Sequence, residues 1–170
     1  MTGLHTDMRG ERIRLVLTLL LGVMLFVWGC PEFLHEDRWW VSLVHHFFHV
    51  NIFHLAINCI SIWALFRRRF VYSAASIVVP FLCATASWFV SPVDPAGASN
   101  FIYAVIGCRT PPFTHRWWRS QPVIIFLVTT AAMLFIPRIS ALTHIVSFAL
   151  GIACAHVARF LKRRKYEGRY

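Results

Sequence analysis

Long apolar runs separated by short basic clusters are the feature that most limits what this chain can fold into. Only 14% of its 170 residues are charged, whereas a soluble domain carries about 25%. The basic residues border the apolar runs, at Arg9, Arg12 and Arg14, at Arg67 to Arg69, at Arg109, Arg116 and Arg119, and from Arg159 to Arg169. This pattern is typical of a protein with several membrane-spanning helices and not of a globular core.

The net charge of +10 is interpreted in the same way. Basic clusters that flank apolar runs are the signature of membrane topology, so we do not expect a nucleic-acid site. The five cysteines are scattered through or beside apolar segments and form no C-x-x-C pair. They are expected to be small buried apolar residues, and a zinc ribbon or redox motif is not indicated.

The apolar runs predict an all-α, polytopic membrane protein with six transmembrane helices in one domain over residues 1–170. The helices are expected at about 13–30, 51–66, 70–90, 98–108, 122–136 and 140–161, with a basic tail at about 162–170. Asn51 is the expected N-cap of the second helix. The first run is interpreted as an uncleaved helix, with signal-peptide or lipoprotein processing at Cys30 as the alternative.

The basic clusters also predict the orientation of the chain. With a cytoplasmic N-terminus, every cluster falls on the cytoplasmic side, and only Arg38 and Arg138 fall outside. Both termini and the basic tail are therefore expected in the cytoplasm.

The fourth predicted helix is too short to span a bilayer. Eleven residues would rise about 16 Å, whereas the hydrocarbon core is about 30 Å thick. Arg109 holds its cytoplasmic end, so its start is expected inside the membrane. Residues 91–97 would then dip into the bilayer, which irregular backbone tolerates only within protein or beside a water-filled cavity. Ser99 is thus predicted at the bottom of a wet cavity, at a helix N-terminus suited to stabilising an oxyanion.

Polar residues at helical spacing support a site there. Such residues within a membrane are costly and mark function by default, although a lone Ser can bond its own backbone and a lone His or Asn can join helices. Three helices each carry such residues on one face: His54 with Asn58, Ser99 with Tyr103, and His144 with Ser147 and Gly151. Their convergence on the short helix favours a functional site.

A second group of histidines, His45, His46 and His49, precedes the second helix. It is similar to the H-E-x-x-H zinc pattern, but His46 occupies the place of the glutamate base, which disfavours a zinc protease. Metal or haem binding through His45, His49 and His54 stays open, because imidazole suits both.

Three motifs resemble those of the rhomboid family. The segment Gly97-Ala98-Ser99-Asn100 is similar to the family's G-x-S-G segment, and the run from His45 through His54 to Asn58 is similar to its first-loop and second-helix motif. Thr143-His144 through Gly151 is similar to its A-H-x-x-G-x-x-x-G sixth helix. The motifs follow the family's order and spacing from the second helix to the sixth.

The resemblance implies an intramembrane serine protease of the bacterial type, located in the inner membrane, that cleaves transmembrane segments of other proteins. It implies Ser99 as nucleophile and His144 as general base, without an aspartate. The backbone N–H of Ser99 would form the oxyanion hole with His54 and Asn58, and Tyr103 would pack against His144. Neither metal nor cofactor is implied, and oligomeric state is not indicated. Gly97, Ser147, Gly151, His45 and His49 are expected to support the site.

Two positions depart from the family pattern. Asn100 replaces the usual second glycine, and Ser147 replaces a glycine that lets the sixth helix approach the fourth. The alternative functions are a non-catalytic rhomboid-like protein that binds membrane helices, and a haem- or metal-binding membrane protein.

Overall fold

The structure is a computed structural model that describes residues 39–49, 51–67, 75–90, 97–111, 113, 117–133 and 140–167. Every secondary-structure element in these ranges is helical, which confirms the all-α class. The elements are α1 (Val41–Val44), a 3₁₀ helix (His45–Phe47), α2 (Ile52–Arg67), α3 (Ala75–Trp88), α4 (Ser99–Arg109), a second 3₁₀ helix (Trp117–Arg119), α5 (Gln121–Met133) and α6 (Ala141–Glu167). The predicted first helix and the predicted dip at 91–96 lie outside the described residues.

The start of α2 follows from its cap. The side-chain oxygen of Asn51 accepts a hydrogen bond from the backbone N–H of His54 at 2.9 Å, which satisfies one of the free donors at a helix start. The short helix is also confirmed, since α4 has 11 residues and ends at Arg109. Eleven residues rise about 16 Å.

Helix α6 is longer than predicted. The expected end near Leu161 is wrong, because the helix continues to Glu167. Lys, Arg and Glu are good helix formers, and no glycine or proline interrupts the chain before Gly168. A basic cluster marks the edge of an apolar run but does not end a helix.

Among the described residues, one helical stretch is both long and apolar enough to cross a membrane, namely the 25 residues of Ala141–Lys165. Shorter apolar helices lie at Ile52–Leu65, Ala75–Trp88 and Gln121–Ala131. The count of six spans stays a prediction.

The distribution of side chains along α2 is the reverse of that in a soluble protein. Phe53 is 76% exposed and Ile60 is 68% exposed, whereas the polar Asn58 is 3% exposed. Exposed apolar side chains recur on α3, α5 and α6, for example at Leu82, Val128 and Phe160. Apolar faces of this kind are compatible with a lipid environment, where polar groups are satisfied inside the protein.

The described residues form two compact units. The first holds α1, the first 3₁₀ helix, α2, the start of α3 up to Ile77, and residues 97–99. The second holds α3 from Val78, α4 from Asn100, α5 and α6. The single domain over 1–170 stays a prediction.

Within the second unit, glycines let α4 and α6 approach closely. A Cβ atom added to Gly151 would collide with the backbone oxygen of Ala104, and one added to Gly107 would collide with that of Phe148. Small residues at helix contacts are the usual way that membrane helices pack. Cys83 and Ala84 of α3 join Ala104 in a small core at the same level.

Candidate active site

In the first unit, the backbone just before α4 is held by two histidines. The N–H of Gly97 donates to the backbone oxygen of His45 at 2.9 Å, and the N–H of Ala98 donates to Nε2 of His49 at 3.4 Å. Gly97 has φ of +111°, a conformation that only glycine adopts without strain. This backbone delivers Ser99 as the first residue of α4.

Gly97 lies directly against the side chains of His54 and Asn58. A Cβ atom at Gly97 would be 2.5 Å from Cε1 of His54 and 3.1 Å from Nδ2 of Asn58. Asn58 is 3% exposed, and its Nδ2 has no hydrogen-bond partner among the described residues. A buried amide donor without a partner is costly, so it is available to a ligand bound at this position. Ser99, 7% exposed, adds the free N–H groups of a helix start.

The histidines before α2 are buried and neutral. Burial lowers the pKa of His45 to about 4, and burial together with the neighbouring His54 lowers that of His49 to about 4. Burial, then the adjacent His45, lowers the pKa of His46 well below its ordinary value. A neutral imidazole has one nitrogen that accepts a hydrogen bond, which is the role of His49 Nε2 toward Ala98.

The described residues contain no group of three or more His, Cys, Asp or Glu side chains placed to hold a metal ion. The rings of His49 and His54 meet edge to face, with centroids 5.2 Å apart. The zinc alternative therefore has no ligand set in this part of the chain.

In the second unit, His144 of α6 stacks on Tyr103 of α4. Their ring centroids are 4.5 Å apart with an interplanar angle of 28°, and His144 is 2% exposed. The hydroxyl of Tyr103 donates to Oγ1 of Thr129 at 2.6 Å, and Thr129 donates in turn to the backbone oxygen of Ile125. The tyrosine ring that faces the imidazole is thus held at its far end.

A serine pair lies close by on α6 and α3. Ser147 donates to Oγ of Ser87 at 2.8 Å, and Ser87 donates to the backbone oxygen of Ala84 at 2.7 Å. Sequence reasoning missed Ser87 and Thr129. Each is a hydroxyl in an apolar helix, which is a signal of function, but their partners depend on which helix faces which.

The predicted site residues thus fall into two groups. His45, His49, His54, Asn58 and Gly97 surround the backbone that leads to Ser99 in the first unit, while Tyr103, His144, Ser147 and Gly151 belong to the second. The pairing of Ser99 with His144 and the catalytic roles stay predictions. Asn100, the departure next to the serine, is in the first turn of α4 and is 1% exposed.

Comparison with known proteins agrees with the motifs. The family profile described as the Rhomboid domain matches residues 36–159, which include every residue of both groups. No match is found among curated proteins. Members of the matched family are generally serine proteases that act on transmembrane substrates in the lipid bilayer. Since the match covers well over half of the sequence, the chain belongs to the rhomboid family and is an integral membrane protein.

Proposed function

We propose that this protein is an intramembrane serine endopeptidase that cleaves transmembrane segments of membrane proteins. The observation that carries the proposal is the setting of Ser99 in a rhomboid chain. This serine begins a helix directly after a glycine that is packed against His54 and the unpartnered amide of Asn58. A nucleophile beside such donors is the arrangement that acyl transfer needs.

The reaction follows from the chemistry of these groups. Oγ of Ser99 attacks the carbonyl carbon of the scissile bond while its proton passes to His144. The oxyanion is stabilised by the N–H of Ser99, by His54 and by Nδ2 of Asn58. Collapse breaks the C–N bond, and His144 returns the proton to the leaving amine. Water then hydrolyses the acyl-enzyme by the same route.

Tyr103 acts on this reaction through His144. A flat ring stacked at 4.5 Å restricts the imidazole to one rotamer, so that its basic nitrogen keeps one direction. The bond from Tyr103 to Thr129 restricts the tyrosine in the same way. In a dyad without an aspartate, this stacking replaces the orienting role that an acid has in a triad.

The site is proposed to lie below the outer surface of a bacterial inner membrane. A helix of 11 residues that ends at Arg109 begins part-way through the bilayer. Water and an unwound substrate segment would meet at its N-terminus, while six spans with cytoplasmic termini surround it.

The test is cleavage of a model transmembrane substrate in proteoliposomes. Ser99→Ala and His144→Ala should each lower turnover by on the order of 10⁴-fold or more, and the double variant should be no worse, because the two residues act as one unit. The yield of folded protein after detergent extraction is the control. Wild-type cleavage by Ser99→Ala would show that the serine protease proposal is wrong.

A fluorophosphonate probe separates the alternatives. Labelling that depends on Ser99 supports the protease. A folded wild type that neither labels nor cleaves would favour the non-catalytic, helix-binding alternative, and a Soret band in the purified protein would favour haem binding.

A further inference from the structure

The hydrogen bond between Ser147 and Ser87 joins α6 to α3 beside the proposed base. Both serines are completely buried, with 0% of their surface exposed. The single proton of the Ser87 hydroxyl is directed to the backbone oxygen of Ala84, so the proton shared by the two serines belongs to Ser147. The bond therefore has one direction, and every hydroxyl proton in it is used.

Ser147 lies three residues after His144 in α6, and residues three apart occupy the same face of a helix. A bond that holds Ser147 to α3 consequently limits how far α6 can turn about its axis at this level. The same turn decides where the imidazole of His144 points and whether it stays stacked on Tyr103.

The remaining contacts of α6 do not perform this task. Gly151 sets how closely α6 approaches α4 at Ala104, which leaves position 147 free to carry a side chain. The bonds of Thr143 with Ser140 stay within the first turn of α6. Two other polar contacts of α6, by Cys154 with Cys83 and by Arg159 with Thr110, lie more than two turns beyond His144.

We propose that Ser87 and Ser147 are positioning residues that fix the rotation of α6 and thereby aim the imidazole of His144. This role rests on the proposed function. It assigns a task to Ser147, where the family pattern has a glycine, and to Ser87, to which no role was assigned from the sequence.

The competing view is that the pair only joins two helices, as polar residues in membrane proteins often do. The two views differ in what should change. Loss of a joining bond lowers stability and leaves the chemistry of the folded fraction intact. Loss of a positioning bond lowers kcat with KM nearly unchanged, because substrate still binds while the base is misplaced, and small misplacements are costly to catalysis.

The experiment measures kcat, KM and the rate of fluorophosphonate labelling in proteoliposomes for Ser147→Ala, Ser87→Ala and the double variant. Each single variant should lower kcat and the labelling rate about tenfold, with KM within about twofold. The double variant should be no worse than either single one, because one bond is lost in all three. Ser147→Ala is the safer variant, since Ser87 keeps its bond to Ala84.

Ser120→Ala is the matched control, because the buried hydroxyl of Ser120 has no hydrogen-bond partner among the described residues. It should leave kcat unchanged. Wild-type kcat in both serine variants, or additive losses that follow a lowered Tm, would overturn the positioning role and leave the protease proposal standing. A wild type without Ser99-dependent cleavage would overturn the proposed function and this role with it.

Discussion

At the scale of single residues, Gly97 explains how a serine can begin a helix beside two buried polar side chains. Its φ of +111° turns the backbone into α4, and its missing side chain leaves the space that His54 and Asn58 occupy. Any other residue would be strained by about 1–3 kcal/mol and would displace His54. One glycine thus meets a conformational and a steric requirement together.

Asn58 provides a prediction in which stability and activity separate. Its Nδ2 is buried without a partner among the described residues, so replacement by alanine removes a group that burial penalises. We expect Asn58→Ala to keep the Tm in detergent at or above the wild-type value. Turnover should fall on the order of 10²-fold, as when other serine hydrolases lose one oxyanion donor.

Asn51→Ala is the comparison for that variant. Asn51 caps α2 through the N–H of His54, so its loss should cost about 1 kcal/mol of stability with a smaller effect on turnover. Unchanged turnover in Asn58→Ala would remove this residue from the oxyanion hole.

At the scale of elements, the segment from α1 through the 3₁₀ helix to His49 supports the active-site backbone with neutral histidines. His45 and His49 contact the backbone of Gly97 and Ala98, and both precede α2. In the unfolded chain their pKa returns to an ordinary value near 6.5. The unfolded chain therefore binds protons at a higher pH than the folded one.

The sign of the pH dependence follows. The stability of the fold should not change with these groups above about pH 6.5, and should fall as the pH decreases from 6.5 toward 4, by up to about 3 kcal/mol for each histidine. The measurement is Tm in detergent at pH 7.5 and pH 5. His45→Gln with His49→Gln, which cannot titrate, should show a smaller fall than wild type. Equal falls in both proteins would contradict the prediction.

At the scale of the whole molecule, charge predicts the topology. The basic clusters fall on one side of the membrane if both termini are cytoplasmic. Reporter fusions at Tyr170 and in the loop near Glu36 should therefore report opposite sides, with the Tyr170 fusion in the cytoplasm. An extracytoplasmic Tyr170 would contradict the six-span arrangement.

Much of the fold could be predicted because it depends on local sequence. Apolar run length and an N-cap at Asn51 predict where α2 and α4 begin, since helix starts are determined by residues within one turn. The end of α6 was predicted wrongly for a related reason. The basic cluster was taken as a boundary, although Lys and Arg continue a helix well.

The sequence by itself determined the helical class, the spacing that places His54 with Asn58 on one face, and the motif order that identifies the family. Tertiary structure decided which side chains meet across helices, namely Tyr103 with His144 and Ser147 with Ser87. Spacing within a helix follows from its 3.6-residue period. Contacts between helices depend on their rotation and separation, which residues distant in the chain determine together.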